Sequence, residues 1–359
     1  MSDSSDAMKI NSHKGHYYVS YSQELSVLIN AFRVKSVVFL VDERVIQLHG
    51  NKLKVLLDRG PVVAVEARES NKSLERMPEI LESLLEAGVR RGDTLVVVGG
   101  GIVQDIGCFI ASTLFRGLSW VFVPTTLLAQ ADSCIGSKSS INLRGYKNTI
   151  GTFNPPNEVH ICSAFLETLS KLEIQSGIGE MLKVHMLDNI NSLSEIISHY
   201  DSLLSDQNAM MDFVKNSLRI KKRFIEIDEF DKGVRNLLNY GHSFGHAVEA
   251  ATNFRVPHGI AVTMGMDMAN FITAKIGFGT NEPFLLSHDT MRKNYQGFQD
   301  EPVDIELFCS SLEKDKKNKG DKLMLILPNK NNTLEKIAVD KTEDFWNFCV
   351  EFFDRARLS

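Results

Sequence analysis

Apolar residues follow two different rhythms along this chain. In the first part they come as short unbroken runs: VVFLV from Val37, PVVAVEAR from Pro61, TLVVVGGG from Thr94 and LSWVFVPTT from Leu118. The first of them predicts a strand buried on both faces of a parallel sheet, and the others read as a second, third and fourth strand. Between the second and third, Leu74, Met77, Leu81, Leu84, Leu85 and Val89 recur at helical spacing, with Pro78 inside the pattern. Proline has no backbone donor, so that helix either starts at Pro78 or kinks there. The third run passes through glycines into the helical stretch IVQDIGCFIASTLF before the fourth strand. Strand, glycine turn, helix and strand form a βαβ unit, and hence an α/β domain.

From about Phe165 long helical patterns take over, among them LSEIISHYDSLL, MDFVKNSLRIKKRFI and FGHAVEAATNF. One late strand-like piece, LMLILP from Leu323, interrupts them. Paired prolines in GTFNPPNEVH mark the change of character. The expected architecture is an α/β, Rossmann-like parallel-sheet N-terminal domain over residues 1–160. A mainly α-helical C-terminal domain would follow over residues 161–359.

Composition narrows the function. With 43% hydrophobic and 24% charged residues the chain is globular, and its net charge of −5 argues against a nucleic-acid binder. A small anionic substrate stays open, because a few focused cations do not show in the total. Five scattered cysteines form neither a zinc-site spacing nor a disulfide framework. The polar start and the lack of a bilayer-length apolar run predict a cytoplasmic protein without a membrane partner.

Four segments could carry chemistry. Gly99, Gly100 and Gly101 join a buried strand to a helix N-terminus, which suits a diphosphate or is simply a tight left-handed turn. Gln104 stands where the full dinucleotide fingerprint has its third glycine. His242 and His246 lie four apart on one predicted helix face, and His258 follows in a loop; such a pair can present two metal ligands or can be ordinary packing. Glu180 and Lys183 share a helix face among apolar neighbours, as a surface ion pair or as a buried carboxylate in need of a cation or metal. Finally, PTTLLAQADSCIGSKSSINLRGYKNTIGTFNPP gathers Asp132, Lys138, Asn142, Lys147 and Asn148 after a parallel strand. It is a solvated connector or a donor-rich loop for phosphate and sugar hydroxyls.

Taken together, GGGIVQDIG, FRGLSWVFVPTTLLAQADS, KNTIGTF, GIGEMLK, RNLLNYGHSFGHAVE and PHGIAV resemble the 3-dehydroquinate synthase and sugar phosphate cyclase family. The resemblance runs from about Val38 to Pro328. It implies a zinc or cobalt ion on Glu180, His242 and His258, with His246 in the substrate site instead. It implies NAD on Gly99, Gly100 and Gly101, with Asp105 near the nicotinamide end. Asp42, Glu69, Lys72, Thr125 and Thr126 would hold the ribose and adenine portions. Catalytic contacts to a phosphorylated sugar would come from Asp132, Lys138, Lys183, Lys221, Arg235, Asn239 and His246. Lys147, Asn148 and Lys316 would add binding contacts, and Arg116 would reach the phosphate site of a neighbouring subunit in a homodimer.

The implied reaction oxidises a ring hydroxyl transiently with NAD, eliminates phosphate, returns the hydride and closes a carbocycle by aldol addition. Arg235 suits a substrate carboxylate, which points to 3-deoxy-D-arabino-heptulosonate 7-phosphate. Ser137, Ser139, Ser140, Ser170, Leu172 and Ile260 depart from the family pattern. They keep open a specialised cyclase acting on sedoheptulose 7-phosphate or glucose 6-phosphate. A metal-dependent alcohol or glycerol dehydrogenase and an inactive binding relative are the rivals from other classes.

Overall fold

The computed structural model describes residues 7–31, 36–144, 146–315, 318 and 320–358. The chain divides into two compact units, residues 1–170 with 222–230 and residues 171–221 with 231–359.

The first unit contains β1 (Met8–Ser12), β2 (Gly15–Ser22), α1 (Leu25–Ala31), β3 (Val37–Asp42), α2 (Glu43–Leu57), β4 (Val62–Val65) and α3 (Met77–Glu86). It continues with β5 (Thr94–Gly99), α4 (Gly101–Thr113), β6 (Ser119–Pro124), β7 (Lys138–Leu143), β8 (Tyr146–Phe153) and β9 (Glu158–Cys162). All four predicted strands form, as β3 to β6, and every residue of β3 and β5 is buried. Pro78 sits in the first turn of α3, so it starts the helix and does not kink it.

A seven-stranded sheet runs in the order β1-β2-β9-β6-β5-β3-β4, parallel except for the β1/β2 pair. On one face Phe39, Val41, Val96, Val98, Val121 and Val123 pack with Val45, Leu53 and Leu56 of α2 and with Leu25 and Leu28 of α1. Each such side chain contributes about 1.5–3 kcal/mol by leaving water. The chain leaves β3 toward one edge and returns as β5 on its other side. The strand order therefore reverses at the β3/β5 junction, where ligands of open α/β sheets bind. Asp42 ends β3 and Gly99 ends β5, so both stand at that crevice.

Two strand pairs escape the sequence reading. The hairpin β1/β2 lies in a segment without an unbroken apolar run, and β7/β8 forms inside the polar loop. A boundary at residue 160 would cut β9, which is hydrogen-bonded to both β2 and β6; the first unit extends to Ser170 and takes back residues 222–230.

The second unit is helical: α5 (Lys171–Asp188), α6 (Ile190–Ser198), α7 (Tyr200–Leu203), α8 (Gln207–Ile227, whose last residues belong to the first unit), α9 (His242–Ala251) and α10 (His258–Lys275). After α11 (Glu282–Asn294) and α12 (Ile305–Glu313) come the hairpin β10 (Lys322–Pro328) and β11 (Leu334–Asp340), then α13 (Glu343–Glu351). Its centre is α10, buried from Gly259 through Thr273. Polar residues along it are paired: Asp267 accepts from Tyr295 Oη at 2.7 Å and from His288 Nδ1 at 2.9 Å. Thr273 donates to the Pro328 carbonyl at 2.7 Å. No helix among the described residues is long and apolar enough to cross a membrane.

Candidate metal and dinucleotide sites

In the second unit, α5, α9 and α10 approach closely enough to touch backbone to backbone. A Cβ on Gly259 would lie 2.0 Å from the Ser176 carbonyl oxygen, and one on Gly265 would lie 2.1 Å from that of Gly241. Only glycine permits these approaches, and they bring Glu180 of α5, His242 at the start of α9 and His258 at the start of α10 together. Ligand atoms from the three lie within 4.8 Å of one another. His258 Nε2 is 3.5 Å and His242 Nε2 is 3.9 Å from Glu180 Oε1. Ligand atoms around a tetrahedral zinc ion stand about 3.4 Å apart, so a small inward adjustment would complete the shell.

The outer nitrogens fix the histidine tautomers. His242 Nδ1 donates to the Tyr240 carbonyl at 3.2 Å, and His258 Nδ1 donates to Glu249 Oε2 at 3.2 Å. Each Nε2 therefore presents a lone pair toward Glu180, the arrangement by which metal-binding imidazoles are oriented. Burial disfavours a charged His258, but Glu249 and Glu180 outweigh it and raise its pKa. The residues fit a divalent ion.

Lys183 and Glu180 are both buried, with Nζ 2.5 Å from Oε2 though out of hydrogen-bond alignment. This is no surface pair. His246, exposed on α9, stacks on His258 with ring centroids 5.7 Å apart and stands edge-on to His242 at 5.4 Å. His246, Glu249 and His258 make a second, more open group of possible ligands. Lys221 and Arg235 are buried, while the Asn239 amide donates to the Asn236 carbonyl at 3.0 Å.

In the first unit the glycine turn is not left-handed: Gly99, Gly100 and Gly101 are absent from the positive-φ residues, and Gly100 is extended at φ −83°. Here glycine is required by proximity, since a Cβ on Gly100 would meet Thr126 Cγ2 at 2.8 Å. The first-turn N–H groups of α4 lack partners within the helix and suit a diphosphate. Thr125 N–H donates to the Gly99 carbonyl at 3.0 Å, which ties β6 to this turn. Gln104 exchanges two hydrogen bonds with Ser133, at 2.6 and 2.7 Å, which gives a structural reason for glutamine there. Asp42 caps α2 by accepting from Arg44 N–H at 3.0 Å.

Lys72, 7% exposed, is a hub. Its Nζ donates to Asp105 Oδ2 at 3.0 Å and to Asn148 Oδ1 at 2.9 Å, and lies 3.7 Å from Glu69 Oε1. Burial raises the Asp105 pKa, and Lys72 opposes that rise. Asp132 is buried on the wide helical turn Ala129–Ser133, whereas Lys138 and Lys147 are exposed on β7 and β8. Arg116 is exposed, with φ of 69°, between Phe115 at 53° and Gly117 at 125°. Lys316 lies outside the described residues. Sequence reading missed Glu249 and the Tyr240 carbonyl. Position relative to His258 and His242 was the only signal available for them, since a carboxylate or carbonyl behind a ligand histidine has no motif.

The profile described as 3-dehydroquinate synthase N-terminal matches residues 62–176, and that described as 3-dehydroquinate synthase C-terminal matches residues 177–318. A 3-dehydroquinate synthase of Dictyoglomus turgidum is 39% identical over 293 residues, covering 81% of this chain and 82% of that protein. Among solved structures, 2-epi-5-epi-valiolone synthase from Streptomyces hygroscopicus, with NAD+ and Zn2+ bound, matches at a TM-score of 0.84 and 24% identity. That match covers 94% of this chain and 97% of the other. A 2-deoxy-scyllo-inosose synthase with carbaglucose-6-phosphate, NAD+ and Co2+ matches at 0.81 and 21%, covering 97% and 99%. The structures establish the fold; with 39% identity across four-fifths of its length, the chain belongs to the 3-dehydroquinate synthase family.

Proposed function

We propose that this protein converts 3-deoxy-D-arabino-heptulosonate 7-phosphate to 3-dehydroquinate with release of phosphate, as an NAD- and metal-dependent phosphorus–oxygen lyase. The observation that carries this reading is the convergence of two tautomer-fixed histidines on Glu180 beside a buried lysine. Curated relatives named 3-dehydroquinate synthase support the substrate, and cyclases holding NAD+ with Zn2+ or Co2+ support the cofactors.

When bound, a divalent ion on Glu180, His242 and His258 would polarise substrate oxygens, and NAD would accept and return a hydride. In the second unit, Lys183 and Lys221 are buried cations whose charge water screens poorly, suited to developing oxyanions. Arg235 offers a carboxylate a bidentate partner, and Asn239 adds an amide for hydroxyl groups. His246 is an exposed imidazole packed against the rings of His242 and His258. In the first unit, Asp132, Lys138, Lys147 and Asn148 are assigned to the sugar phosphate. Asp42, Glu69, Lys72, Asp105, Thr125, Thr126 and the Gly99–Gly101 turn are assigned to NAD. Arg116, exposed on left-handed backbone, is assigned to a neighbouring subunit of a cytoplasmic homodimer.

Two of the serines that depart from the family pattern have internal partners. Ser139 Oγ lies 3.0 Å from Thr152 Oγ1, and Ser140 Oγ donates to Asn148 at 2.9 Å. Burial pushes the Glu229 carboxyl up, but His13 and the Ser137 hydroxyl help to hold it down. Ile260 is fully buried, where a glutamate would lose its hydration. These neighbours favour local repacking over a changed substrate. The test is metal-loaded protein with catalytic NAD and the heptulosonate phosphate. One phosphate per dehydroquinate without net NADH is expected; no turnover while NAD and metal bind would overturn the substrate.

A further inference from the structure

Asn142 belongs to neither set of assigned contacts, yet its backbone and side chain are all committed. It is 8% exposed. Its Nδ2 donates to Glu69 Oε1 at 2.8 Å, and its Oδ1 accepts from Asn148 N–H at 2.8 Å. Its N–H donates to the Lys72 carbonyl at 2.8 Å, and its carbonyl accepts from Leu74 N–H at 2.9 Å. A carboxylate can only accept and a backbone N–H can only donate, so the amide orientation is determined by its partners.

The two ends of this side chain serve different assigned ligands. Glu69 and Lys72 belong to the NAD set, whereas Asn148 belongs to the sugar phosphate set. Asn148 also sits at φ 51°, a conformation asparagine tolerates better than most residues. Its Oδ1 takes hydrogen bonds from both Lys72 Nζ and Ser140 Oγ. The backbone N–H of Asn148 is thus held by Asn142 while its side chain is held from the cofactor side.

We infer that Asn142 is a positioning residue that locks the Glu69–Leu74 loop and β8 into one frame, so that the NAD contacts and the sugar phosphate contacts are set together. The inference rests on the proposed function for the identity of the two ligands. Asn142→Asp separates the two ends: it keeps an acceptor for Asn148 N–H but sets an oxygen against the Glu69 carboxylate. Asn142→Ala removes both.

The experiment measures the NAD dissociation constant by titration without substrate. It also measures KM and kcat for the heptulosonate phosphate at saturating NAD, and thermal melting of each protein. For N142D the NAD constant should rise roughly tenfold or more while KM stays within about threefold, the scale of a lost hydrogen bond to a charged group. For N142A both should rise. NAD binding by N142D within about twofold of wild type would overturn the inference, as would changes in both constants that merely track a lower melting temperature. If N142A does not fold, N142D decides alone. Wild-type protein that binds no NAD would overturn inference and function together. NAD binding without turnover would overturn only the substrate, and the dissociation constants would still decide on Asn142.

Discussion

A histidine can ligate a metal through either ring nitrogen, and the partner of the other nitrogen decides which. For His258 that partner is Glu249, 3.2 Å from Nδ1, and the same two residues also belong to the more open group with His246. The two arrangements make opposite predictions. With Glu249 as an orienting base, E249Q should weaken metal binding roughly 10–100-fold, as outer-shell changes do, while E180Q should abolish it. With Glu249 as a ligand, E180Q would be nearly silent and E249Q severe. Chelator competition at one pH measures both, and a mild E180Q would refute the triad. Helical spacing alone pairs His242 with His246 and misses Glu180, because spacing reports a shared face and says nothing of what another helix brings there. The family motif supplied the pairing across helices. The outer residues stayed illegible because their meaning depends on which nitrogen they touch.

Between residue and fold, the helix contacts are set by absent side chains. With the Ser176 carbonyl only 2.0 Å from a Cβ built on Gly259, Gly259→Ala must push α5 and α10 apart. Overpacking of this kind costs about 1–3 kcal/mol or more. Because Glu180 and His258 ride on these two helices, metal affinity should fall with the melting temperature. Gly92→Ala, where nothing lies within 4 Å, should change stability by less than about 0.5 kcal/mol and metal binding not at all. Unchanged metal affinity in G259A would detach the ligand geometry from this contact. At the same scale, β3, β5 and β6 were readable from unbroken apolar runs, since burial on both faces leaves no alternation to confuse them, whereas β4 at the sheet edge has the run but alternates exposed and buried residues. The hairpin β7/β8 was not, because β8 is half-exposed or exposed along its whole length and reads as loop composition. Its strands are defined by pairing to each other and by the bond from Asn142 to Lys72, neither of which leaves a periodic trace.

The helical unit as a whole carries a buried basic group that the proposed chemistry does not use. His185 of α5 is fully buried, its Nδ1 2.9 Å from Ser192 Oγ and its Nε2 without a partner. Burial lowers its pKa from 6.5 to about 4. Between those values the unfolded chain binds a proton that the folded chain refuses, so stability rises with pH across that window and is lost as pH falls below 6.5. The slope for one such group approaches 1.4 kcal/mol per pH unit, so moving from pH 7 to pH 5 should cost roughly 2 kcal/mol through His185 alone. A neutral replacement, His185→Gln, removes that proton from the balance while lowering stability at pH 7 through imperfect packing. The two proteins should therefore converge as pH falls, the gap between their denaturation free energies narrowing by roughly 2 kcal/mol. Urea titrations at pH 5, 6 and 7 on metal-free protein read this directly and keep ligand protonation out of the comparison. Parallel pH profiles would show that His185 keeps an ordinary pKa in the folded chain.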